Sequence, residues 1–433
     1  MTFFAYYDII TKGRDFMEFR ELTNEEFINF TNNFELKSIY QTPEYGYIMD
    51  KQGYSHILVG LIDNNKIIAA SLILIRKENG FKYAYAPKGF LLNYEDYNLI
   101  NTFSNNLKKY LSKKQIMGIK INPLIIKNIY SNNKTLENPK YDYLYNRLIL
   151  NKYYHLGYNN FFESLNPRFE AILDLNKPID ELFKNLKKEF KTKIRTCYKH
   201  GIRIYKGNSN NINELESFTN KKYNYNSTYF KDCYNYFSKR NMVDLYFAKI
   251  DTQKYLQNIQ DKLNNYQEKS DKLNEEIMLK YQNNPTNLIK KKINVDKYLN
   301  QYQNDLIYAT NLLKNHPNGI ITAAILTVKQ NDEVTILIDS YDKRFKKINS
   351  KHLLIWQLIE IYQKEGFKKF NLGGLSNITT ANNKYSGLNE FKTSFNCDVY
   401  EYAGDFELIT NLRNYELYRN FIPFRSLVKG KLK

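Results

Sequence analysis

The sequence predicts an α/β (α+β) fold in which one unit is used twice and a helical hairpin is inserted in the second copy. Three observations carry this. Two distant places show turn residues feeding a largely apolar run: Asn64-Asn65-Lys66 before Ile67–Leu74, and Pro317-Asn318-Gly319 before Ile320–Thr327. Each run is followed by a strand, a helix and a strand in the same order. Between the copies, apolar positions step by three and four, the period of a coiled coil.

In the first copy the strand Lys82–Ala86 precedes a helix near Glu95–Ser112, with Tyr97, Ile100, Phe103, Leu107 and Leu111 on one face. Gly118–Ile121 closes the unit as a strand. In the second copy the strand Val334–Ile338 precedes the helix Ser350–Lys364, with Leu353, Leu354, Trp356, Leu358 and Ile361 directed inward. The strand Phe367–Leu372 closes it and ends at Gly373-Gly374. The inserted pattern has one seam of Leu256, Ile259, Leu263, Tyr266, Ser270, Leu273 and Ile277, and a second of Val295, Leu299, Tyr302, Leu306, Ala309 and Leu313. Asn283-Asn284-Pro285 separates them, because proline cannot continue a helix interior. Two such helices fold back as an antiparallel hairpin. Residues 251–282 as a helix extend about 48 Å. A seam this narrow builds an arm rather than a globular core. It suits a large partner or a dimer contact equally.

Composition bounds the function. At roughly 150 residues per domain, 433 residues suggest two or three domains. Apolar residues make up 42% and charged residues 25%, which argues against disorder over the whole length. Cys197, Cys233 and Cys397 are odd in number and far apart, excluding a disulfide framework and a paired-cysteine metal knuckle. The histidines form no HxxxH or HExxH spacing, so a zinc hydrolase and any other metal role are not expected. The longest apolar runs are about nine residues, such as Ile67–Ile75, against roughly twenty for a spanning helix. The N-terminal stretch lacks a basic segment before its apolar residues and reads poorly as a signal peptide. The expectation is a soluble, cytoplasmic protein. Its net charge of +19 has two readings: the lysine-rich bias of an AT-rich genome, or a field that attracts phosphates. Charge alone does not choose.

Residues 185–206 gather Lys187, Lys188, Lys191, Lys193, Arg195, Lys199, Arg203 and Lys206. Gly201 ends the helix and a strand resumes at Ile202. The segment is either a phosphate-binding helix end or a solvated face. No nucleophile elbow, Walker loop or GxGxxG is present. The loop Asp342–Ser350 before the second helix has no glycine, so the close backbone approach needed for a coenzyme A pyrophosphate is lost, and an acyl-CoA N-acyltransferase is disfavoured. Gly89–Tyr94 in the first copy also lacks the pattern.

The C-terminal region contains Gly373-Gly374-Leu375, then the run Tyr385–Phe395 (YSGLNEFKTSF), then Glu401-Tyr402-Ala403-Gly404-Asp405-Phe406. These resemble three segments of the FemABX peptidyltransferases: a GGI-type strand end, G-x-x-x-F-K-x-x-F, and an EYxGxFD-like strand. Tyr85-Ala86-Pro87-Lys88-Gly89 is similar to their YAPRGP, Lys120-Ile121-Asn122-Pro123 to their K-I-D-P, and Gln41–Tyr45 to their Q-S-x-x-W/Y. Tyr246–Asp251 resembles the strand leading into their arm, and the basic 185–206 segment matches too. The likeness runs from about Met17 to Leu408, with the motifs in order and the arm in place.

The resemblance implies two tandem acetyltransferase-like (GNAT) domains with an inserted antiparallel coiled-coil arm, as in the FemA/FemB-like cell-wall-bridge branch. The expected organisation is an N-terminal extension 1–16, read as an upstream-start artefact or short tail, then a first domain 17–167. The second domain is 168–250 with 318–433, and the arm is 251–317. The implied activity moves an amino acid, glycine first and serine or alanine next, from aminoacyl-tRNA to the stem peptide or bridge of a lipid-linked or nucleotide-linked peptidoglycan precursor. The implied setting is peripheral contact with the inner membrane face, with homo- or heterodimers among related transferases. No cofactor or metal is implied, and because the tRNA ester is already activated no covalent enzyme intermediate is required. Lys392, at the family's F-K lysine, is the expected catalytic cation; the rival reading is a surface lysine on a strand. Asn122 is the second expected catalytic position, although the family has an aspartate there and asparagine cannot accept a proton. Lys51, Lys88, Lys193, Arg195, Tyr236 and Phe391 are the expected substrate-binding residues, with Phe391 also suited to packing. The family's arginine before a Tyr-Phe pair falls near Asp232, upstream of Tyr236-Phe237, where Lys231 is the nearest substitute. These departures keep a second function open: a catalytically degenerate paralogue acting as an RNA-binding or scaffolding protein. An open groove lined by Lys51, Lys88 and Asn122 argues for the enzyme; a filled one argues for the scaffold.

Overall fold

The computed structural model describes residues 17–35, 38–78, 80–132, 134–219, 228–280, 285–380 and 383–421. The extension 1–16 and the helix break at 283–284 lie outside the described residues. Two mixed sheets and an inserted helical hairpin make up the fold, in line with the α/β expectation.

The first sheet has the strand order Glu18–Glu21, Ser55–Asp63, Lys66–Glu78, Phe81–Ala86, Ile116–Ile121, Phe406–Ile409, Tyr154–His155. The second runs Ile202–Lys206, Val243–Ile250, Ile320–Gln330, Glu333–Tyr341, Lys369–Leu375, Phe169–Asp174, Asp398–Tyr402, Ile126–Ser131, Lys134–Glu137. Each contains one parallel pair, Phe81–Ala86 with Ile116–Ile121 and Glu333–Tyr341 with Lys369–Leu375. A parallel pair needs a long crossover. The helix Tyr97–Lys113 supplies it in the first sheet and Ser350–Lys364 in the second. The repeated strand–strand–helix–strand order read from the sequence is therefore present in both halves.

The helix Tyr97–Lys113 starts later than its periodicity suggested, because the Asp96 side chain caps it by accepting from the Leu99 amide at 3.0 Å. Ile100, Phe103, Leu107 and Leu111 are buried on its inner face, whereas Tyr97, in the first turn, is exposed.

Strands are exchanged between the halves. The late strand Phe406–Ile409 lies in the first sheet, with Phe406 opposite Ile121 and Ile409 opposite Gly118. In return, the early hairpin Ile126–Glu137 extends the second sheet, where Tyr130 pairs with Val399. One apolar core spans the junction. Leu72, Leu74 and Tyr85 of the first sheet join Ala324, Leu326 and Ile338 of the second, through Tyr45 and Ile48 of the helix Pro43–Lys51 and Phe230 and Phe237 of the helix Tyr229–Ser238. Each fully buried large apolar side chain stabilises by roughly 1.5–3 kcal/mol, so this core holds the halves in register.

The arm consists of Thr252–Leu279 and Thr286–Asn315, 28 and 30 residues long. Asp251 caps the first helix and Pro285 immediately precedes the second. Ile259 packs with Ala309 and Leu312 near the base. Tyr266 meets Tyr298 and Tyr302 at 5.4 and 5.2 Å, and Ser270 Oγ donates to Asp296 at 2.6 Å further out. Leu312, rather than the expected Leu313, is the buried residue of the last turn.

Candidate active site

In the second sheet the parallel ladder between Glu333–Tyr341 and Lys369–Leu375 runs only from Glu333 opposite Lys369 to Thr335 opposite Asn371. Past Asn371 this ladder has no further pairs. Gly373, with φ +81°, follows at this point. A Cβ there would lie 3.4 Å from the Lys392 ammonium and 3.5 Å from the Ile336 carbonyl. Both are ordinary van der Waals contacts, so it is the positive φ that favours glycine here.

Lys392 lies on the helix Ser386–Thr393, not on a strand, and is 8% exposed. Its Nζ donates to the Gly374 carbonyl at 2.8 Å. The end of the parallel ladder is therefore bordered by an ammonium group fixed to main chain. Across the ladder Gly374 faces Glu170.

Glu170 leads into the first half. One carboxylate oxygen receives the Lys88 ammonium at 2.9 Å. The other accepts from Asn371 at 3.1 Å and from the Tyr402 hydroxyl at 3.3 Å. The Lys88 Nζ also lies 4.1 Å from the centre of the Tyr402 ring. Asn371 donates in addition to Glu333 at 3.1 Å, so two carboxylates share one amide. Burial, and then the neighbouring Glu170, raise the Glu333 carboxyl above its ordinary value. On the other side of Lys88, its backbone N–H donates to Asn122 Oδ1 at 2.8 Å. The same oxygen accepts from the Tyr85 hydroxyl at 3.0 Å, and Asn166 donates to Tyr85 at 2.8 Å. Burial pushes both Tyr85 and Tyr402 well above the usual phenol range, so both are neutral donors. A second buried ion pair, Lys120 with Asp405 at 2.6 Å, lies one residue before Ile121, and Ser164 accepts from the same ammonium at 2.8 Å.

Asn166 also lines a cavity of about 70 Å³ with Tyr40, Tyr45, Met49, Leu165, Tyr229, Leu337 and Ile338. Its walls come from both halves.

The expected site residues fall into separate neighbourhoods. Lys88 and Asn122 touch, and Lys392 connects to them through the Gly374–Glu170 pairing. Lys193 and Phe391 border a second cluster. The Lys193 Nζ lies 5.0 Å from the Phe190 ring centre, and Phe190 packs on Phe391 at 5.9 Å and His352 at 4.7 Å. Tyr236 stacks on Tyr47 at 5.7 Å, which places it beside the helix Pro43–Lys51 that ends at exposed Lys51. Arg195 is exposed, with its guanidinium 5.5 Å from the Phe183 ring. Of the two alternatives set for Lys51, Lys88 and Asn122, an open groove or a filled one, Lys88 and Asn122 fit the filled one: they are 3% and 6% exposed, with Lys88 Nζ on Glu170 and Asn122 Oδ1 on the Tyr85 hydroxyl and the Lys88 N–H. The basic helix Lys188–Lys199 buries Phe190, Ile194 and Cys197 and carries one acid, Glu189.

Sequence reasoning missed Glu170, Glu333, Asn371 and Tyr402 as members of the network. A signal for Glu170 existed: it is a lone charge in the apolar strand Phe169–Leu173, as Lys120 is in Ile116–Ile121. No covalent nucleophile emerges. All three cysteines are buried, and burial lifts the Cys197 thiol to about 12 and the other two higher. Among the described residues no His, Cys, Asp and Glu cluster is arranged to hold a metal.

The FemAB family profile matches residues 22–421. The chain belongs to the FemAB family. Aminoacyltransferase FemA of Staphylococcus epidermidis is 24% identical over 418 residues, covering 93% of this chain and 98% of that protein. Aminoacyltransferase FemA of Staphylococcus aureus is 24% identical over 420 residues, covering 93% and 97%. The crystal structure of FemX superimposes with a TM-score of 0.71 at 18% identity, over 94% of this chain and all of that one. That level of likeness establishes a shared fold.

Proposed function

We propose that this aminoacyltransferase takes its amino acid from aminoacyl-tRNA and adds it to the stem peptide or bridge of a peptidoglycan precursor, acting at the cytoplasmic face. Glycine is the first candidate, then serine and alanine. The observation that carries the reading is the Lys392 ammonium, buried and tied to the Gly374 carbonyl where the parallel ladder has ended. The acceptor amine, neutral when it attacks, forms a C–N bond to the ester carbonyl carbon. The carbonyl oxygen becomes an oxyanion that Lys392 stabilises. Collapse breaks the bond to the ribose oxygen, which leaves with the proton released by the amine. The ester is already activated, so positioning supplies much of the rate and no enzyme intermediate is needed. Lys193 and Arg195, on the basic helix, are proposed to meet phosphates of the donor or the precursor. Tyr236 and Lys51 are proposed to line the acceptor side.

A second reading has a specific observation behind it. Lys88 and Asn122 are already engaged inside the protein, as expected of a paralogue that keeps the arm and has lost the site. One experiment separates the two. The protein is incubated with lipid-linked precursor and tRNA charged with labelled glycine, serine or alanine, with Lys392→Ala alongside. Label passing to the precursor from one donor, and lost in the variant, supports the transferase. Binding of tRNA without transfer from any donor supports the scaffold.

A further inference from the structure

The far end of the arm carries an unusual surface. Beyond the Ser270–Asp296 contact no described residue of either arm helix is buried. Met278 and Leu279, in the last turn of the first helix, are 78% and 86% exposed. Ile289 and Ile293, in the first two turns of the second, are 43% and 62% exposed. These four lie outside the Leu273–Ile277 and Val295–Leu299 seam. Among the described residues from 271 to 295, five lysines (Lys272, Lys280, Lys290, Lys291, Lys292) accompany three acids (Asp271, Glu275, Glu276), and Lys292 is paired with Asp296. The end of a helix about 40 Å long thus pairs exposed aliphatic side chains with excess positive charge.

We propose that this tip docks on an anionic lipid bilayer, with Met278, Leu279, Ile289 and Ile293 entering the headgroup boundary and the flanking lysines meeting lipid phosphates. The inference extends the proposed function, whose acceptor is lipid-linked. Aliphatic side chains ringed by lysine are the composition of an interfacial anchor, where the apolar part and the charge act together. Nucleic acid would use the lysines and offer nothing to four aliphatic groups, none of them aromatic. A two-fold contact of this surface with a second copy would bring two lysine-rich arm ends together. Ile289 and Ile293 also continue no heptad stripe with Met278 and Leu279.

The test uses the full chain and vesicles of mixed phosphatidylglycerol and phosphatidylcholine, with pure phosphatidylcholine as the neutral control. Sedimentation of the wild type with the anionic vesicles, weakening as salt rises, is expected. Met278→Ser with Leu279→Ser, and separately Lys290→Glu with Lys291→Glu, should each lower that binding about tenfold or more. All four positions are exposed, so far-UV circular dichroism should show the arm's helicity unchanged. Transfer to a soluble, nucleotide-linked acceptor should also be unchanged, while transfer to vesicle-embedded precursor falls. A wild type that ignores anionic vesicles overturns the proposal. So do variants that bind as the wild type does, or a wild-type dimer in light scattering that the serine pair splits. If the wild type transfers to neither the soluble nor the vesicle-embedded acceptor, the proposed function fails, and the vesicle result still decides the role of the tip.

Discussion

Lys88 and Glu170 form an ion pair at 2.9 Å, with 3% and 9% of their side chains exposed, and the pair ties the end of the first sheet's parallel strands to the second sheet. Two charges withdrawn from water are held only while both are present. Lys88→Met or Glu170→Leu alone should each destabilise the protein by about 3–5 kcal/mol, because each leaves its partner charged and buried. The double variant should lose less than the sum. Denaturant titration of the four proteins measures the coupling.

Lys392→Ala should lower the turnover number by about 10²–10³-fold if the ammonium faces the developing oxyanion. Lys392→Arg, which keeps the charge but moves it, should recover part of that loss. A thermal melt run beside the kinetics separates chemistry from folding, since Lys392 is buried and bonded to Gly374.

Asn122 gives a cleaner distinction. Its side-chain oxygen accepts from two donors, and an aspartate could do the same. Asn122→Asp should therefore leave the local structure intact. Asn122→Ala strands the buried Lys88 N–H and should cost about 1–3 kcal/mol. Denaturant midpoints read this directly. If the alanine variant is as stable as the wild type, the hydrogen bonds at Asn122 contribute little.

His352 is held neutral: burial, then Lys193, lower it from 6.5 to about 4. Below its unfolded value the unfolded chain takes a proton that the folded chain refuses. Stability should therefore fall as pH drops from about 6.5 to 4, by on the order of 3 kcal/mol for this group. His200 is lowered to about 4 by burial and then Lys262, and adds in the same direction. Melting temperatures across that range, compared with those of His352→Gln, should show a shallower slope in the variant.

The repeated unit and the arm were legible because both rest on local periodicity. The apolar runs at Ile67 and Ile320 and the stepping residues from Leu256 to Ala309 need no knowledge of their partners. The exchange of strands was not legible: nothing in Phe406–Ile409 announces Ile116–Ile121 as its neighbour, since an apolar strand pairs with many others equally well. The candidate site was legible in part. Lys392 and Asn122 were singled out by motif, but the motif did not tell that Lys392 sits on a helix or that Asn122 is buried. Glu170 was within reach as a charge in an apolar strand. Its companions Glu333, Asn371 and Tyr402 come from strands far apart in sequence, so only the assembled sheet brings them together.

The strand exchange also sets a timetable for synthesis. Chains usually fold domain by domain as the N-terminal part leaves the ribosome. Here the edge of Ile116–Ile121 waits for Phe406–Ile409, made roughly 280 residues later. At about 5–20 residues per second that wait is on the order of 15–60 s. Throughout it the nascent first sheet exposes an unpaired strand to every neighbouring chain, so this protein's demand for chaperones should be concentrated before its last strand is translated.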